Sequence, residues 1–163
     1  MKAETYKARL KLLQENSIST ADDLTACMHQ AESTVTQLAK QRTILNVRKK
    51  KRKKLFDALA AEEALAMSKD LYEEGLSGME SEYAQYVEAK ATLDTCVISR
   101  QALTEEKADI YEQLAQLNKQ IRTERQKIKL CREIAEATAK MQQDIERSDE
   151  KTTPERQHTY FRN

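Results

Sequence analysis

The sequence predicts an all-α fold: an elongated antiparallel helical hairpin, or coiled coil, with a short capping helix. Three observations predict it. Charged residues make up 34% of the 163 residues and aromatics only 5%, with two Gly, one Pro and no Trp. That composition suits long helices and lacks the turn residues and the β-branched or aromatic faces that strands need. Two long stretches also carry apolar residues at alternating steps of four and three, the narrow stripe a helix presents to a partner helix. Finally, the only glycines, Gly75 and Gly78, fall together between those stretches. They stand where a helix must close and the chain turn.

Residues 1–19 read as a short helix and linker, with Tyr6, Leu10 and Leu13 on one side of the helix and Asn16-Ser-Ile-Ser19 ending it. The hairpin proper spans residues 20–147. Thr20-Ala-Asp-Asp23 has the form of an N-cap followed by a first turn with two acids facing the positive end of the helix dipole. From there the stripe runs Leu24, Met28, Ala31, Val35, Leu38, Arg42, Leu45, Lys49, Arg52, Phe56 and Leu59, keeping its step even where the residues turn basic. This predicts a long helix over about 20–67. A shorter helix over about 79–94 follows, with Tyr83, Tyr86, Val87 and Ala91 available for packing.

The last helix is expected over about 99–147, capped by Ser99 or Thr104. Its stripe is Leu103, Ile110, Leu114, Leu117, Ile121, Ile128, Cys131 and Ala135, with polar skips at Lys107 and Glu124. Beyond Cys131 it drifts to Ile134, Thr138, Met141 and Ile145, as an insertion into a heptad repeat produces. Residues 148–163, a polar run with Pro154, are expected to form a disordered tail. Pairing the two seams in one chain sets Leu24 against Asp144 and Met67 near Gln101. A second copy of the chain satisfies the same seams equally well, so the oligomeric state stays open.

Several function classes are disfavoured. Cys27, Cys96 and Cys131 are widely spaced, with no CxxC pair and no Cys/His cluster, so small buried thiols in a reducing compartment are expected rather than a metal site. No apolar run approaches the ~18 residues of a membrane span, and MKAETYKARLKLL lacks the apolar core of a signal peptide, so a cytoplasmic protein with no membrane partner is expected. His29 and His158 have no Ser, Cys or carboxylate at a spacing that implies a dyad. No glycine loop for phosphate occurs, and Tyr160 stands alone in the tail. Asp22 and Asp23 read as first-turn acids, Glu62/Glu63 and Glu73/Glu74 as exposed helix residues. Neither an enzyme nor a cofactor is expected.

Charge is segregated even though the formal net charge is only +1. Residues 40–54 hold Lys40, Arg42, Arg48, Lys49, Lys50, Lys51, Arg52, Lys53 and Lys54 with no acid. Residues 57–94 carry a balance of −8, ten acids against Lys69 and Lys90. A second basic stretch, 119–132, contains Lys119, Arg122, Arg125, Lys127, Lys129 and Arg132 against Glu124. The hairpin register sets the two basic stretches side by side. The candidate nucleic-acid-binding residues are therefore Arg48, Lys49, Lys50, Lys51, Arg52, Lys53, Lys54, Lys119, Arg122, Arg125 and Lys129, which would contact phosphates without reading sequence. The competing explanation is a solvated face that keeps a coiled coil soluble. No aromatic interleaves with the run, so base stacking is not indicated.

Ile18-Ser-Thr-Ala-Asp-Asp-Leu24, the helix through Gln41-Arg42 into Arg48–Lys54, Leu71-Tyr-Glu-Glu-Gly-Leu-Ser-Gly78 and Lys127-Ile-Lys-Leu-Cys-Arg-Glu-Ile134 together carry a family likeness. They resemble the C-terminal helical region of relaxases, the mobilisation nucleases of conjugative and mobilisable elements in Firmicutes. Relaxases nick the transfer origin with a tyrosine, assisted by a metal-bound histidine cluster, in an N-terminal domain that is expected to be missing here. No His-x-His cluster is present here, so no catalytic residue carries over. The resemblance implies a detached or truncated relaxase tail, or a standalone accessory, that contacts DNA or relaxosome proteins during transfer without cutting. A self-associating or purely structural coiled-coil module is the alternative.

Overall fold

A computed structural model of the chain describes the backbone of residues 2–160 and the side chains of residues 2–150. The described residues are all-α: α1 (Lys2–Glu15), α2 (Ala21–Lys51), α3 (Lys53–Ala64), α4 (Ala66–Glu73), α5 (Glu80–Asp94) and α6 (Arg100–Tyr160). They fall into two units. Residues as far as Gln37 and from Gln120 onward form the first, and Leu38–Lys119 the second, so α2 and α6 each contribute to both.

The helix ends follow local chemistry. At the start of α2 the Asp23 amide donates to the Thr20 hydroxyl at 3.1 Å, and the Asp23 carboxylate accepts from the Ser19 and Thr20 amides at 3.0 and 3.2 Å. This is a reciprocal capping box. Ser99 caps α6 by accepting from the Ala102 amide at 3.1 Å, whereas Thr104 donates back to the Arg100 carbonyl. The α4 terminus closes through Gly75 at φ +89°, with the Leu76 amide reaching the Leu71 carbonyl at 3.0 Å. The same device closes α1, but with Ser17 at φ +52° and the Ile18 amide on the Leu13 carbonyl at 2.9 Å.

The helix expected over about 20–67 is bent rather than straight and runs to Glu73. Arg52 (φ −94°, ψ −1°) separates α2 from α3 and Leu65 (φ −98°, ψ 1°) separates α3 from α4. Neither bend breaks the hydrogen-bond ladder. Arg52 still donates to Arg48, Phe56 to Arg52, Leu65 to Ala61 and Lys69 to Leu65. No Gly or Pro marks these positions, which is why composition did not reveal them.

In the second unit one core gathers Leu45, Phe56, Ala58, Ala89, Leu93, Leu103, Ile110, Leu114 and Leu117. Leu103 and Ile110 are wholly inaccessible, and each side chain buried this way contributes on the order of 1.5–3 kcal/mol. α5 packs through Ala89 and Leu93. Val87 and Ala91, expected to pack, face solvent instead, and Tyr83 and Tyr86 are half-buried. The small Ala58 and Ala89 suit the close packing of α3 with α5.

In the first unit Leu12, Leu24 and Cys131 form the buried cluster, with Leu13, Ile18, Cys27, Met28, Leu130 and Ile134 packed against it. α1 turns Thr5, Ala8, Arg9, Leu12 and Asn16 inward, and Tyr6 and Leu10 of the expected face are exposed. Arg9 adds an ion pair to Glu133 at 3.7 Å, and Glu32 pairs with Arg132 at 3.6 Å.

The antiparallel pairing differs from the expected register by more than a helical turn. Leu24 shares a cluster with Cys131, not a position near Asp144. In the second unit Arg52 meets Glu106 and Glu62 meets Arg100, so Met67 does not lie opposite Gln101. Heptad seams alone admit several registers, and polar residues within the seam choose among them. In the register adopted, Glu106 and Asn118 accept from Arg52 and Arg42. At its far end α6 stays helical to Tyr160 through Pro154, past Arg147 and over most of the segment expected as a tail. Residues 161–163 lie outside the described residues.

Candidate nucleic-acid interface

The run Arg48–Lys54 sits where α2 bends into α3, held from beneath by Leu45 and Phe56, which are 6% and 4% exposed. With those two side chains anchored inward, helical geometry sorts the seven basic residues between them. Three turn toward α6. Arg48 and Arg52 both reach Glu106, at 3.8 and 3.3 Å, and the Lys49 ammonium lies 4.6 Å from the centre of the Tyr111 ring. Their stems cover apolar surface while their charges are partly engaged within the unit.

Lys50, Lys51, Lys53 and Lys54 point outward, and none forms an ion pair among the described residues. Lys50, Lys53 and Lys54 follow the spacing that keeps residues on one helical face. The next residue outward is Asp57, itself exposed. The expected patch therefore resolves into a small cluster of ammonium groups over about two turns, with Arg48, Lys49 and Arg52 beneath it as supports. Phe56, the nearest aromatic in sequence, is buried and offers no ring for a base to stack on.

The second basic stretch is divided. Lys119 belongs to the same unit as the Lys50–Lys54 cluster, whereas Arg122, Arg125 and Lys129 belong to the first unit. All four are exposed. Arg125 and Lys129 line a groove of about 650 Å³ together with Arg132, Glu32, Glu133 and Glu136, in which Glu32 pairs with Arg132 and Glu133 with Arg9. Lys127 pairs with Glu124 at 3.8 Å.

One charged cluster escaped the sequence reading. Arg100 donates to both carboxylate oxygens of Glu62, the shortest contact 2.8 Å, and to Asp94 at 2.7 Å. Hydrogen bonds to Glu62, then Asp94, hold the guanidinium even further above its usual range. Glu62 is thus a partly buried anchor rather than the free surface acid expected. Nothing in the local sequence of Glu62 signals this, because its partner lies on another helix. The cluster borders a groove of about 740 Å³ whose lining includes Ala60, Ala64, Tyr86 and Thr104 but no His or Cys. It ties α3 and the end of α5 to the start of α6.

His29 is exposed on α2, and the side chains of His158 and Tyr160 lie outside those described. Among the described residues no group of His, Cys, Asp and Glu is placed to hold a metal ion, and no helix is long and apolar enough to cross a membrane. No family model, no curated protein and no solved structure matches this chain.

Proposed function

We propose that this chain is a non-catalytic helical accessory module that contacts the nucleic-acid backbone through Lys50, Lys51, Lys53 and Lys54. The resemblance to the relaxase C-terminal region gives it a setting in DNA mobilisation, beside a transfer origin or the proteins assembled there. One observation carries the reading: four exposed lysines without ion-pair partners among the described residues, with no acid among them, fixed on a helix by buried Leu45 and Phe56. An ammonium cluster of this kind releases counterions from phosphates and so gives affinity that falls with salt and does not depend on sequence. The test replaces these four lysines with Gln and measures retention of duplex and single-stranded DNA at low salt. Loss of retention with unchanged helicity supports the interface. Equal binding by the variant rules it out.

A second reading has its own support. Met141 and Ile145 continue the apolar stripe of α6 yet are 66% and 59% exposed. A coiled-coil module whose partner is another helix, either a relaxosome protein or a second copy, would use such a stripe and treat the lysines as a solvated face. It requires a defined oligomer by light scattering and no DNA retention, an outcome opposite to that of the first reading.

A further inference from the structure

We propose that Cys27 and Cys131 form a dithiol that a low-molecular-weight disulfide oxidises to an intramolecular bond between α2 and α6. The two residues are remote in sequence but belong to one cluster of the first unit. Cys131, 1% exposed, is a member of its buried centre with Leu12 and Leu24, and Cys27 is half-buried against that centre from α2. Cys27 is the thiol neighbouring Cys131 across this cluster. The ion pairs Glu32–Arg132 and Arg9–Glu133 flank the site. Cys96, in the other unit, packs against the Leu103–Leu117 core and has no thiol neighbour among the described residues.

The chemistry proceeds in two exchanges. The Cys27 thiol, the more accessible of the pair, loses its proton and its sulfur attacks the small disulfide. A mixed disulfide forms, the small S–S bond breaks, and one small thiol departs carrying a proton. The Cys131 thiolate then attacks the Cys27 sulfur, forming the Cys27–Cys131 bond and expelling the second small thiol with the second proton. Two protein thiols are oxidised by two electrons and one small disulfide is reduced to two thiols. Burial, and next the neighbouring Cys27, push the Cys131 thiol up to about 11. Burial still raises the Cys131 thiol once Cys27 is in the mixed disulfide, so the second exchange is slow at neutral pH and accelerates as pH rises.

The product links α2 to α6 across a long loop, so it restrains the unfolded chain and raises Tm. No third ligand accompanies the two sulfurs among the described residues, which favours a redox pair over a metal site.

The experiment treats the full chain carrying Cys96→Ser with oxidised glutathione under native conditions. The readouts are intact mass, tryptic mapping without reductant, far-UV circular dichroism and Tm. The expected product is a monomer lighter by two hydrogens, with a Cys27–Cys131 linked peptide, unchanged helicity and a raised Tm that dithiothreitol reverses. A Cys27→Ala companion, altered only at the half-buried position, should give no link. A glutathione adduct at Cys27 that persists as the pH is raised under native conditions, a disulfide-linked dimer, or a link that forms only with loss of helicity would each overturn the proposal.

Discussion

Ser17 is the residue at which the chain departs most clearly from local preference. It holds φ +52° so that the Ile18 amide can reach back to Leu13 and close α1. A side chain in that conformation costs on the order of 1 kcal/mol, which glycine largely avoids. Ser17→Gly should therefore raise unfolding free energy by about 0.5 kcal/mol, read from the urea midpoint at constant m; a lower midpoint would contradict the αL assignment. Asp23 supplies a pH-dependent counterpart at the next helix start. The Ser19 and then the Thr20 amide hold its carboxyl below the usual carboxylate range. A depressed folded value means the contribution is fully present above the unfolded value and disappears as pH falls through the folded one. The Tm difference between the protein and its Asp23→Asn variant should accordingly shrink below about pH 4. A difference that stays constant down to acid would show that charge at Asp23 does not support the cap.

α6 shows at the level of an element what could be read in the sequence and what could not. Its stripe from Leu103 to Cys131 is buried at every apolar position named from the four-three step. The matching α2–α3 stripe from Leu24 to Leu59 is buried or half-buried throughout, including Arg42, Lys49 and Arg52. Periodicity is legible because it depends only on spacing along one helix. Register, bends and ion-pair partners depend on what stands opposite. Glu106 collects Arg48 and Arg52, and Glu62 collects Arg100, and neither acid advertises this locally. The face of α1 differs from the expected one for a related reason: Leu13 packs against the Cys131 cluster as expected, but packing turns Leu12 into its buried member and leaves Tyr6 and Leu10 exposed. From Ala135 to Glu150 every residue of α6 is exposed, so that segment lacks the tertiary burial that supplies most helical stability. Amide exchange should be slow over 103–131 and fast over 138–150, as measured by native-state hydrogen exchange. Comparable protection in both segments in a dilute monomer would show a source of stability other than burial; protection appearing only with concentration would favour the coiled-coil partner.

For the molecule as a whole, a formal net charge of +1 conceals a basic run followed directly by an acidic stretch of balance −8. Long-range attraction to a polyanion is therefore weak, and affinity must come from local contacts within a Debye length, roughly 10 Å at 0.1 M salt. The number of such contacts is measurable. If all eleven candidate residues engaged phosphates, log Kobs against log salt would fall with a slope near −10, at roughly −0.9 per contact on duplex DNA. The structure engages Arg48, Lys49 and Arg52 internally and assigns Arg122, Arg125 and Lys129 to the other unit. The four outward lysines alone give a slope of about −3.6, which corresponds to a loss of roughly a hundredfold between 50 and 200 mM salt. A titration of duplex DNA by fluorescence anisotropy across that range tests the count directly. Glu106→Gln should leave Arg48 and Arg52 without a carboxylate partner and steepen the slope toward about −5. A slope indifferent to Glu106, or one near −10 in the parent chain, would mean that the internal ion pairs do not limit which cations meet the phosphates.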